Sequence, residues 1–219
     1  MNIYGSQWTT VDGNAISIQD ITLPPQDCSD YGEIMMVYTP GVGYAIYTYF
    51  TDTIKDISLP EENWESMGPG WGDADGQYVD LTLPVGSAYW LNTIAAKTFT
   101  VSGAIAKGEG ELQTKAATLS LCSLPFPITG NIQDVKLPSS ECSDYGETMM
   151  VYTPGSGYAI YTYFTDTIKD ISLPEENWES MGPGWGDADG QYVDITFPVG
   201  SGFWLNTASS KTFTVASPL

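Results

Sequence analysis

The chain has no histidine and no arginine, and it sets seven lysines against 27 acidic residues over 219 positions, for a net charge of −20. Without a basic stripe to release counterions, nucleic acid is excluded as a partner, and an anionic membrane surface is repelled for the same reason. Without histidine, Ser-His-Asp and Cys-His nucleophile activation cannot be built, and the commonest transition-metal ligand is missing. The three cysteines, Cys28, Cys122 and Cys142, lack the spacing of a zinc site. Their odd count leaves two readings: a Cys122–Cys142 bridge with Cys28 left over, or three free thiols. No run of about 18 apolar residues supplies a transmembrane helix, and the first ten residues have neither a basic start nor an apolar stretch. The expectation is a protein that does not insert into membranes and, if secreted, has already lost its leader.

Helix signals are also scarce, because 23 glycines and 14 prolines break the chain before a ten-residue helical period can develop. Strand signals are frequent. Met35 to Tyr38, the turn Pro40-Gly41-Val42-Gly43, and Tyr44 to Phe50 read as a hairpin rich in aromatic and β-branched residues. Val79, Leu81 and Leu83 alternate with polar residues as in a half-buried strand, and Phe99 with Val101 continues that pattern. Tyr44, Tyr47 and Tyr49 fall on opposite faces of one strand, so they cannot all be buried.

The dominant feature is a repeat. Cys28 to Ser87 recurs as Cys142 to Ser201, shifted by 114 positions with four changes in sixty: Ile34/Thr148, Val42/Ser156, Leu81/Ile195 and Leu83/Phe197. Each copy must be one self-similar structural unit. The expected fold is all-β: two tandem, nearly identical antiparallel β-sandwich or barrel-like domains. The boundaries fall at 1–103 for the first domain, 104–131 for a connector hairpin contributing to the second, and 132–219 for the second. The connector predicts strands at Ala104 to Lys107 and Leu112 to Leu121 about a Gly108-Glu109-Gly110 turn, with a helical turn near Leu112 to Leu119 as the alternative. Its outer strand has no counterpart ahead of the first repeat. Such a unit is either capped at its end or completed by a strand from a neighbouring molecule.

The longest irregular stretches, Ser58 to Gly76 and Ser172 to Gly190, are identical in the two copies. Loops of this length usually carry a function. Asp73, Asp75 and Asp80, repeated as Asp187, Asp189 and Asp194, cluster hard oxygens around a glycine turn and suit calcium, although the third Asp/Asn and the twelfth-position glutamate of an EF-hand loop are missing. A solvated Asp-Gly turn is the plainer reading. Trp64, Trp71 and Tyr78, with Trp178, Trp185 and Tyr192, put flat aromatics beside those carboxylates. Such rings stack on sugars, anchor protein contacts, or fold down as lids on a small core. Paired carboxylates can hydrolyse glycosides, but units of this size leave little room for the deep cleft that raises one pKa, so no enzymatic activity is expected.

Gly70-Trp71-Gly72-Asp73, the strand Val79 to Gly86, Tyr89-Trp90-Leu91-Asn92-Thr93 and Lys97-Thr98-Phe99-Thr100-Val101 follow an order that resembles the acidic tandem all-β repeats of secreted Verrucomicrobia-type bacterial proteins. Phe203-Trp204-Leu205-Asn206-Thr207 fits the pattern more closely than the first copy. The resemblance covers about four fifths of the chain and implies an all-β fold and an extracellular or cell-surface location, with no activity to carry over.

Two functional expectations follow. The first is a non-enzymatic structural subunit that self-assembles into a filament or surface layer through strand edges and aromatic patches, by head-to-tail contacts that do not close. The second is a tandem carbohydrate-binding or adhesion module whose two weak sites gain avidity from being linked.

Overall fold

The computed structural model describes residues 2–10, 12–24, 28, 32–51, 69–96, 101, 104–105, 110–137, 146–153, 155–165 and 183–215. Trp64, Trp178, Cys142 and the segment 97–100 lie outside the described residues.

The protein is all-β. The predicted hairpin is β3 (Ile34–Thr39) and β4 (Gly43–Phe50), paired from Ile34↔Thr48 to Thr39↔Gly43. It is built as expected from two aromatic and β-branched runs around a glycine turn, where Gly41 and Gly43 take φ of 78° and 113° that a side chain would resist. β1 (Asn2–Gly5), β7 (Ala88–Asn92) and β5 (Gly70–Gly72) complete a five-stranded antiparallel sheet in the order β1-β7-β3-β4-β5. Behind it, β2 (Ile16–Ser17) pairs with β6 (Thr82–Leu83), and a 3-10 turn, Ile18–Asp20, is closed by reciprocal Ser17 and Asp20 capping bonds.

The second repeat copies this arrangement. β9 (Leu119–Ser123), β15 (Gly202–Asn206), β11 (Thr148–Thr153), β12 (Gly157–Phe164) and β13 (Gly184–Gly186) form the second five-stranded sheet. β10 (Gly130–Asn131) and β14 (Thr196–Phe197) stand where β2 and β6 stand in the first. β1 and β9 are therefore the same strand in the two units, although their sequences differ.

Alternation along the strands divides each sheet into two faces. In the first, Met35, Tyr49, Tyr89 and Leu91 point into a core with Ile16, Ile18, Ile21, Trp71 and Leu83. The other face carries Ile3, Met36, Tyr38, Ala88 and Trp90, which meet Leu121, Met150, Tyr152 and Trp204 of the second repeat in a separate cluster. Each unit thus has its own core, and the two sheets share a third.

The connector differs from expectation. Its strands are β8 (Gly110–Thr114) and β9, turning at residues 115–118 with Ala117 at φ 50°, so Gly110 opens a strand instead of sitting in a turn. No helical turn forms there, because Leu112 and Thr114 alternate inward with exposed Glu111 and Gln113. β8 pairs with β16 (Lys211–Val215), and no equivalent pair occurs among the described residues of the first repeat. There, Thr9 bridges both Ala15 and Ala104, with Thr9 and Ala104 exchanging backbone bonds of 3.0 and 2.8 Å, and this short ladder caps the unit in its own way.

Candidate functional site

The acidic, aromatic stretch ahead of β6 is more structural than its composition suggests. Trp71 and Trp185 are fully buried, so neither offers a ring to a ligand or a neighbouring molecule, correcting the expectation. The cause is local. The Trp71 indole N–H donates to the Ile21 carbonyl at 2.8 Å, its ring meets Tyr49 edge-on at 5.1 Å, and the Gln19 side chain holds its backbone. Gln19 Nε2 donates to the carbonyls of Trp71 and Val79 at 2.6 and 2.7 Å, while its Oε1 accepts the Trp71 N–H at 3.0 Å. Gln133 does the same for Trp185 and Val193. Neither glutamine was singled out from the sequence. The signal was there: Ile18-Gln19-Asp20 is kept as Ile132-Gln133-Asp134 in a ten-residue stretch where half the positions differ.

The carboxylates are dispersed. Asp73 Oδ1 accepts the backbone N–H of Asp75 and Gln77 at 2.9 and 3.0 Å, closing its own turn, and Asp187 repeats this with Asp189 and Gln191. Asp80 accepts the Ser17 hydroxyl at 2.8 Å, and Asp194 accepts the Asn131 amide. Asp75 and Asp189 are exposed. Among the described residues, no three acidic or cysteine side chains converge on a point that suits a metal ion. Tyr78 and Tyr192 are half-buried and bridge Gly72 and Gly186. Cys122 is a free thiol, which overturns the bridge to Cys142: its side chain lies 3% exposed in the second core, packed among apolar groups.

What the structure does bring together is the seam between repeats, which sequence reasoning missed. It has an approximate two-fold axis. Gly5 N–H donates to the Gly200 carbonyl and Ser123 N–H to the Gly86 carbonyl, each at 2.7 Å, with bridges Tyr4↔Ser201 and Ser87↔Cys122 beside them. Tyr38 meets Trp204 edge-on at 5.1 Å, and Tyr152 meets Trp90 at 5.5 Å. Each repeat presents the same patch to the other, so the contact within the chain is two-fold and closed.

This symmetry accounts for one difference between the copies. A Cβ on Gly202 would lie 2.9 Å from the Cβ of its own repeat mate, Ala88, and 2.2 Å from Ile3 Cγ2. Alanine fits on one side of the axis only.

The seam runs out to an exposed strip. Tyr44 and Tyr158 are 51% and 50% exposed, and Ile46 and Ile160 57% and 60%. Val42 projects from the β3–β4 turn. Tyr44 ties the strip to the seam: its ring stands edge-on to Trp204 at 6.4 Å, and burial, with Tyr158 and Tyr38 nearby, holds its phenol above the ordinary range. Not one residue of either five-stranded sheet is charged, although the chain carries 27 acidic residues. Comparison with protein-family models, curated proteins and solved structures returns no match.

Proposed function

We propose that the protein is a non-enzymatic extracellular structural subunit that associates with copies of itself through the uncharged faces of its sheets. The observation that carries this reading is the exposed strip of Tyr44 and Ile46 with Tyr158 and Ile160, large apolar groups left in water on sheets that carry no charged residue. Contiguous apolar surface of this kind marks a contact site. At a net charge of −20, any approach between copies is repulsive except where charge is missing, and a second copy's strip is itself uncharged and apolar. The resemblance to secreted repeats supports the extracellular assignment. The burial of Trp71 and Trp185 takes two of the six aromatics behind the tandem glycan-binding reading out of reach of a sugar.

Association should strengthen with ionic strength, since the Debye length falls from about 30 Å at 0.01 M to about 8 Å at 0.15 M. Calcium should act similarly at lower concentration by neutralising surface carboxylates. Sedimentation velocity and negative-stain microscopy across salt, calcium and protein concentration test this, with Ile46→Asp/Ile160→Asp as the comparison. Oligomers that grow with salt in the parent chain and vanish in the variant are expected. A parent chain that stays monomeric at high concentration in salt overturns the proposal.

A further inference from the structure

We infer that the seam is exchangeable: the first repeat of one molecule can close on the second repeat of another, making between copies the contact seen within the chain. This rests on the self-association proposed above and names its route.

The seam's symmetry is the first ground. An isologous contact uses one patch twice, so an intermolecular seam loses no interaction that the intramolecular seam has. The Gly5–Gly200 and Gly86–Ser123 bonds and the two tyrosine-tryptophan pairs form whichever chain supplies the partner repeat. Concentration then decides between the two forms.

The seam also has slack. A groove of about 660 Å³ runs along it, lined from the first repeat by Val37, Tyr38 and Val85 and from the connector strands by Glu111, Gln113 and Leu121. At the same contact, Gln7 Oε1 accepts the Gly200 N–H at 2.8 Å, while its Nε2, fully buried, has no hydrogen-bond partner among the described residues. An unsatisfied buried donor costs about 1–3 kcal/mol, which lowers the work of opening this joint.

The connection is short. Five residues, 105–109, separate Ala104, held in the ladder of the first repeat, from Gly110, the first residue of β8. Short joints between paired units favour exchange, because two chains can each extend the joint without folding it back.

Ser87→Cys tests the inference in the full chain, on a Cys28→Ser/Cys142→Ser background that leaves Cys122 as the only native thiol. Ser87 and Cys122 face each other as a non-hydrogen-bonded antiparallel pair, as the Ser123 N–H to Gly86 O bond of 2.7 Å requires. Cα atoms in such pairs are about 4.5 Å apart, within disulfide range. Protein oxidised with glutathione while dilute and monomeric is expected to form an internal cross-link and to lose assembly at least tenfold, with recovery on reduction. Protein oxidised after assembly should give a ladder of covalent multimers on a non-reducing denaturing gel. If the locked monomer assembles undiminished, or assembled protein yields only internal cross-links, exchange is overturned while association through the strip stands. If neither parent nor reduced variant assembles, both readings fall. Tyr4→Cys/Ser201→Cys, the symmetry-related lock, serves if Ser87→Cys does not fold or if buried Cys122 stays unoxidised.

Discussion

Tyr38 meets Trp204 edge to face across the seam, ring centroids 5.1 Å apart, and Tyr152 repeats the contact with Trp90 at 5.5 Å. Aromatic pairs in this geometry contribute about 0.5–1.5 kcal/mol beyond the area they bury. Because the two pairs are one interaction used twice, they join the repeats into a single mechanical unit.

Trp90→Ala and Trp204→Ala should therefore behave alike. Each tryptophan is almost fully buried, and removing either leaves a cavity between the sheets, a loss of about 3–5 kcal/mol. The damage falls at the joint and not in either core, so the repeats should uncouple. Urea titration followed by tryptophan fluorescence is expected to show one transition for the parent and two for each variant. If both variants keep a single transition, the seam does not couple the units.

Alkaline pH should destabilise the fold. Burial pushes the Cys122 thiol from 9.0 up to about 12, and burial, aided by neighbouring Tyr4, raises the Tyr89 phenol as well. The unfolded chain releases these protons first, so above about pH 9 it binds fewer protons than the native state, and stability falls as pH rises. The contribution is complete below about pH 9 and is lost progressively toward pH 12 and beyond. Denaturation midpoints measured from pH 8 to 11 should decline, less steeply in Cys122→Ala. In the native protein at pH 8, iodoacetamide should modify half-buried Cys28 and spare Cys122 until denaturant is added. Equal rates at the two thiols would contradict the buried placement.

The all-β class and the β3–β4 hairpin were legible because alternation and turn residues are local properties of the chain. The burial of Trp71 was one of three readings open to it, and only the fold decided among them, since the Gln19 side chain that holds it lies 52 positions away. The turn at 115–118 was missed because no glycine or proline announces it, and Ala117 takes positive φ only under tertiary constraint. The seam left almost no trace. Trp90 and Trp204 read as core strand residues, and which face of a sheet meets another sheet is not encoded by period-two alternation. One trace survives in the replacement of Ala88 by Gly202, a pair whose meaning appears only once the two are seen to face each other.

That pair makes a sharp test of the two-fold seam. Gly202→Ala inserts a methyl 2.2 Å from Ile3 Cγ2 and 2.9 Å from the Ala88 Cβ, so one or both neighbours must move. Overpacking of this kind costs about 1–3 kcal/mol. Ala88→Gly alone should be mildly destabilising, because it removes a buried methyl and loosens a strand. Together the two changes exchange the residues across the axis and relieve the methyl-methyl clash, leaving the contact with Ile3 and a 3.3 Å approach to the Cys122 carbonyl. The double variant should then be more stable than the sum of the single effects, with a coupling of about 0.5–3 kcal/mol as expected for residues in contact. Strictly additive losses in chemical denaturation would mean that Ala88 and Gly202 do not face each other, and the symmetry of the seam would fail with them.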